Sequence, residues 1–242
     1  MPYRGTARRE IEAHDAQLTG GIVKNPVKYS HEIAGLYLQA AGDLINGAVM
    51  CSDPSQHLAF SPATLIRSSI EYSAWSSWIQ SPDLSGKQRV ARAVAALRGD
   101  LGHPGNKKWY GESGARFLEE VEEWVGDQDF VVKNGLPKIQ TVIAEIEPIM
   151  LDHYKYLSGL AHGRLLPMLL NHPGMRDIWQ RLQFQHGAEL LMGVQTLLYA
   201  IDSTFNLRGD RIREVDILGD LVTEFCGELD EALDGDWTGE NP

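Results

Sequence analysis

The residues best suited to chemistry lie together in the run Asp152-His-Tyr-Lys-Tyr-Leu-Ser-Gly-Leu-Ala-His-Gly-Arg164. Lys155 precedes His162 by almost two helical turns, and Ser158 lies one turn before the histidine. A helix through this run therefore sets an amine, a hydroxyl and an imidazole in one column. An imidazole exchanges protons near neutral pH, and an ammonium can neutralise a phosphate. Gly159 and Gly163 leave room beside the column for a ligand or for another backbone. The same residues also describe a tight helix crossing whose His and Ser are satisfied by hydrogen bonds. A second group is Arg67 and Glu71, four apart among Ile66, Ile70, Ala74 and Trp75. On a solvated helix such a pair is worth a few tenths of a kcal/mol, at about 0.2–0.5. Partly buried, the arginine needs more partners, and Tyr156 or His162 can supply them. Arg67 would then converge on the Lys155–His162 column.

A third group is basic. Lys87, Arg89, Arg92, Arg98, Lys107 and Lys108 are opposed only by Asp100 between Ser85 and Tyr110, a net +5, with His103, Trp109 and Tyr110 as stacking surfaces. A phosphate- or RNA-contacting patch has this make-up, with Arg89, Arg92 and Arg164 as phosphate ligands. A solvated helix face followed by a polar loop has it too. The chain also holds an internal partner for the strip. Ten acidic residues and no Lys or Arg lie in the 29 residues from Glu214 to Pro242. The net charge of −11 is thus mostly terminal, since residues 1–213 hold 22 basic and 23 acidic residues.

Other chemistries lack their signatures. The sequence has no HExxH, no CxxC, no P-loop, no GxSxG and no GxGxxG, so neither a metal nor a cofactor is expected. His186 and Glu189 are one turn apart, which is a common surface pair. Two cysteines, Cys51 and Cys226, suit a reducing compartment. The charged N-terminus reads as no secretory signal, and no apolar run approaches the roughly 18 residues of a membrane span. A cytoplasmic protein is expected.

These groups need helices to hold them, and the apolar period is helical almost throughout. Ile33, Leu36, Tyr37, Ala40, Leu44 and Ala48 make one stripe of a helix starting near Ser30. Ser61-Pro62 opens a second helix carrying Leu65, Ile66, Ile70, Trp75 and Trp78. Ser85 caps a third; residues 99–111 read as a loop, and Ser113 caps a short helix after it. Pro148 breaks the chain before a helix with Met150, Tyr154, Leu157 and Ala161. The longest helix runs from about 175 to 205. A last one, roughly 214–233, buries Leu218, Leu221, Val222, Phe225 and Leu229. The expected architecture is all-α, a single bundle of seven to nine helices over 28–234, with a loose segment at 1–27 and a disordered acidic tail at 235–242.

The stretch Tyr156-x-Ser-x-x-x-His162-Gly163 resembles the terminal motif of HEPN-like helical proteins. It follows an earlier helix, Leu65-Ile-Arg67-Ser-Ser-Ile-Glu71-Tyr, then Trp78-Ile-x-Ser-Pro-Asp and Arg89-Val-Ala-Arg92, in an order that resembles an uncharacterised branch of that superfamily. The resemblance spans roughly residues 30–170. It implies a HEPN-like bundle, a homodimer, and RNA or nucleotide as ligand in a defence or stress system. The nuclease members carry R-x4–6-H, with the arginine on phosphate and the histidine activating the ribose 2′-hydroxyl. His162 matches the histidine, whereas the arginine position falls on Lys155, Tyr156 or Leu157. Lysine cannot grip a phosphate bidentately, so the implied chemistry is altered or lost and metal-independent, with Arg67 a spatial substitute. Two further readings stand beside this one. One is a non-catalytic interaction or dimerisation module that meets a protein through the acidic terminal helix. The other is a small-molecule enzyme or carrier with a pocket near Trp75, Trp78 and Tyr154.

Overall fold

The computed structural model describes residues 5–14, 25–52, 61–102, 104–126, 136–146, 148–162, 176–208, 216–217, 219–224 and 227. Its helices are α1 (Gly5–His14), α2 (Pro26–Cys51), α3 (Ser61–Ile79), α4 (Gly86–Gly102), α5 (Pro104–Val125), α6 (Ile139–Ile146), α7 (Pro148–Ala161) and α8 (Arg176–Arg208). Further helical residues lie between 216 and 227. The fold is an all-α bundle, with no strand among the described residues.

Helix starts follow from local chemistry. Asn25 is extended at φ −150°, its Oδ1 accepts the Lys28 N–H at 2.9 Å, and Pro26 follows in the first turn. This cap-then-proline start places Pro26, the first residue of α2, four residues before Ser30. Ser85 and Gln88 cap α4 reciprocally: Gln88 Oε1 accepts the Ser85 N–H at 2.9 Å, and the Gln88 N–H reaches Ser85 Oγ at 3.4 Å. Residues 99–102 and 104–111 are helical, not the loop expected. Gly99 closes the last turn of α4, Pro104 takes the first position of α5, and helix continues through Ser113. Proline at a helix start loses nothing, because its missing N–H would have had no helical partner.

Helix α3 is the centre, packed against α2, α4, α6, α7 and α8. Its seam with α2 is built from small residues. Ala34, Ala41 and Ala48 recur every seven positions and are fully buried, as are Ser69 and Ser76 opposite them. The Ser69 hydroxyl donates to the Ala41 carbonyl at 3.0 Å and that of Ser76 to Ala34 at 2.9 Å. Small side chains let the backbones approach until a hydroxyl spans the gap, and the bond replaces the water that burial removes. Gly193 of α8 meets the same layer: a Cβ there would stand 2.7 Å from Ile45 Cδ1 and 3.1 Å from Ile66 Cγ2. This seam turns α2. Ile33, Ala34, Ala41 and Ala48 face inward, whereas Leu36, expected inside, is 66% exposed.

Two apolar clusters share helices. The larger gathers Ile66, Ile70, Trp78 and Ile79 of α3 with Val142, Ile143, Met150, Tyr154 and Leu157. The smaller holds Val27, Val90, Val94, Val121 and Val125. Because α2 and α4 contribute to both, they join the clusters into one packed body. The segment expected to be loose is partly docked: in α1, Ala7 is fully buried and Ile11 packs on the smaller cluster. The expected acidic tail at 235–242 lies outside the described residues. Of the residues expected buried in the terminal acidic stretch, Leu221 is 54% exposed and Val222 is half-buried. Leu218, Phe225 and Leu229 fall outside the described residues.

Candidate functional site

Arg67 and Glu71 sit one turn apart on the face of α3 that meets α7, with Arg67 Nη2 2.7 Å from Glu71 Oε1. The partner from α7 is Tyr154. Its hydroxyl donates to Glu71 Oε1 at 2.5 Å and accepts from Arg67 Nη2 at 3.1 Å. The guanidinium carbon lies 5.3 Å from the Tyr154 ring centre. The pair is largely shielded, with side chains 18% and 23% exposed, and Tyr154 is buried. Burial, then the hydrogen bond and the charge of Glu71, push the Tyr154 hydroxyl up to about 12. The arrangement is a closed triangle of contacts made through Arg67 Nη2, while the buried Arg67 Nε has no hydrogen-bond partner among the described residues. It braces α3 against α7.

Arg67 thus meets α7 through Tyr154 rather than through Tyr156 or His162. Tyr154 lies eight residues before His162, a rise of about 12 Å along a helix. The column runs along the flank of α7, turned about a quarter of the way round from the buried Met150, Tyr154 and Leu157, with Ser158 one turn beyond Tyr154. Lys155 is exposed and bonded to Asp152 at 3.0 Å, Ser158 is half-buried, and His162 is exposed just past the helix end, its N–H on the Ser158 carbonyl at 3.0 Å. Tyr156 is half-buried and packs on the larger cluster.

Two arginines of the basic strip are consumed inside the protein. Arg89 is fully buried. Its Nη1 donates to the carbonyls of Ile79 (2.9 Å) and Ser81 (3.2 Å), its Nη2 to Leu84 (3.2 Å), and its Nε to Glu10 Oε2 (3.3 Å). Arg89 is thus no phosphate ligand: it caps the carbonyl end of α3 and the turn after it. Arg92 does a similar task, with Nη1 2.6 Å from the Trp78 carbonyl and its guanidinium 4.8 Å from the Trp78 ring centre. Arg98 pairs with Glu122 of α5, and Lys87 lies 5.4 Å from the Trp124 ring centre. The side chains of Lys107 and Lys108, and all of Arg164, lie outside the described residues. Among the described members of the strip, Arg89 and Arg92 are spent on α3, and Arg98, itself exposed, takes its carboxylate from α5.

The pocket expected near Trp75, Trp78 and Tyr154 is filled. Trp75 and Trp78 stack edge to face at 5.4 Å, Arg92 lies over Trp78, and both Trp78 and Tyr154 belong to the core. No group of three His, Cys, Asp or Glu able to hold a metal occurs among the described residues, and no helix there is long and apolar enough to cross a membrane.

Sequence reasoning missed a buried polar cluster at the other end of the bundle. Glu10 of α1, His31 of α2 and Arg89 of α4 meet there. His31 is fully buried, with Nε2 3.6 Å from the same Glu10 oxygen that Arg89 reaches. Burial alone would raise the Glu10 carboxyl, but His31 and Arg89 overcome it and hold the group below its usual range. The available signal was the spacing of Ala7, Glu10, Ile11 and His14, one helix face with a carboxylate among its anchors. Comparison with known proteins returns no matching family model, no matching curated protein and no matching solved structure.

Proposed function

We propose that this chain is a non-catalytic helical module of the cytoplasm that works by binding protein, either a second copy or another chain. The observation that carries this reading is the outer face of α2. Tyr29, Leu36 and Met50 recur at intervals of seven and fourteen, with Val49 beside the last, and are 45%, 66%, 68% and 51% exposed. Large apolar side chains gathered on one stripe of a helix mark an interaction surface more often than scattered ones do. The acidic terminal stretch repeats the pattern, with Ile217 and Leu221 uncovered beside exposed Asp216, Asp220 and Glu224. Meanwhile the polar groups that chemistry would need are engaged: Arg67, Glu71 and Tyr154 with one another, Arg89 with backbone carbonyls.

A photoreactive amino acid placed singly at Leu36, Met50 or Leu221, in cells that make the protein, tests this. A discrete protein adduct is expected at Leu36 or Met50, of twice the chain's mass for a homodimer and of another mass for a foreign partner. Adducts no stronger than those from Glu119, an exposed position on α5, would contradict it. A second reading has one observation in its favour. His162 is exposed, with Ser158 and Lys155 one and two turns behind it on the flank of α7, and an RNA- or nucleotide-directed HEPN-like protein with altered chemistry would use that column.

A further inference from the structure

Helix α1 sits in a receptor that the rest of the chain builds without it. Arg89 is fixed by three body carbonyls through its two terminal nitrogens, and its Nε meets Glu10. Asn25 is fixed in the same manner: its Oδ1 caps α2, and its Nδ2 donates to the Ile11 carbonyl at 2.9 Å. His31 is fully buried, its Nε2 3.6 Å from the Glu10 carboxylate. Between these polar anchors lies a floor of Val27, Val90, Val94, Val121 and Val125, on which Ile11 rests. His14 closes the far end, its ring edge-on to Trp124 at 5.3 Å. The groove thus reads four positions on one helix face, at i, i+3, i+4 and i+7, as helix-binding grooves do. The charged and titratable groups acting on the Glu10 carboxylate are His31 from α2 and Arg89 from α4, and α8 also packs on α1. The bound helix is short. Ten residues are marginal as an isolated helix in water, so docking itself supplies much of its order.

We propose that this groove is a helix-docking site that reads a carboxylate, and that the first helix of a second copy can take the place of the chain's own α1. The groove is complementary to α1, and every copy carries both halves. Reciprocal exchange therefore closes a two-fold dimer with no new surface, the usual low-cost route to such an assembly. The ten residues between His14 and Asn25 can span at most roughly 35 Å, which sets how far a copy can reach. This site is separate from the outer face of α2 and stands without the interaction reading above.

The test uses the full chain and a fluorescent peptide of residues 3–16. In Glu10→Ala the chain's own helix loses its anchor while the receptor is left intact. That variant is expected to bind the peptide at least tenfold more tightly than the wild-type chain does. The peptide carrying Glu10→Ala should bind it at least tenfold more weakly than the unaltered peptide. Ile11→Ser, which loosens α1 from the apolar side, should open the groove in the same way. Sedimentation should show a concentration-dependent dimer of the wild-type chain that Glu10→Ala abolishes, whereas a dimer formed through Leu36 and Met50 would survive it. Equal binding of the two peptides, or no binding to either variant, overturns the site. A wild-type chain that stays monomeric, or a dimer indifferent to Glu10→Ala, overturns the second copy as its occupant.

Discussion

Arg89→Met is expected to lower the unfolding free energy by about 3–5 kcal/mol, the scale for breaking a buried charge pair by removing one partner. The methionine fills much of the volume but donates nothing. The carbonyls of Ile79, Ser81 and Leu84 lose their partner, and Glu10 keeps only His31. Urea unfolding followed by circular dichroism should show a lower midpoint at unchanged slope. Arg92→Met, which removes one carbonyl bond from a half-buried site, should cost about 1 kcal/mol. The comparison also tests the sequence-based expectation for these arginines. A phosphate ligand would lose polyanion affinity and keep its stability, the opposite outcome.

The second large effect belongs to the triangle between α3 and α7. Arg67→Met should cost about 2–3 kcal/mol, because it deletes the cation from a shielded carboxylate and from a tyrosine hydroxyl that donates to it. The tyrosine adds a pH signature. The Tyr154 hydroxyl stands near 12 in the folded protein against an ordinary value of 10. A group whose folded value is raised contributes fully below the unfolded value and loses that contribution as pH rises through the folded one. Stability should therefore decline between about pH 10 and 12, and Tyr154→Phe should flatten that decline while costing about 1 kcal/mol at neutral pH. A wild-type profile identical to that of Tyr154→Phe above pH 10 would show that the hydroxyl is not held by Glu71.

Much of the fold was legible because helices announce themselves locally. The Ser61-Pro62 start, the Ser85 cap and the Pro148 break all lie within one turn of the residue that causes them. The inward face of α2 was legible at Ile33 and Ala48 but not at Ala34 and Ala41. Those two alanines carry too little hydrophobicity to outweigh Leu36 and Tyr37, and only close contact with Ser69 and Ser76 of α3 makes them the buried side. The gap at 99–111 misled for the related reason that glycine and proline punctuate helix ends as readily as loops.

The site was legible in part. Arg67 and Glu71 read correctly as a partly buried pair in need of a third partner, but the partner is Tyr154, which its apolar stripe disguised as core. A tyrosine has both an apolar body and a polar tip, and spacing alone does not say which end matters. Arg89 and Arg92 read as surface charge because isolated arginines usually are. Their role appears only when α4 folds back and brings them to the last carbonyls of α3. Glu10 was hidden for the same reason, since its partners lie 21 and 79 residues away in sequence.

The proposed protein-binding role assigns no chemistry to the exposed His162. The most direct measurement is incubation of the full chain and of His162→Ala with a mixed-sequence RNA in the presence of a chelator, followed by gel separation of the products. The account predicts that the two proteins leave the RNA equally intact. Metal-independent cleavage by the wild type that disappears in His162→Ala, with the variant unfolding at the same midpoint, would contradict it.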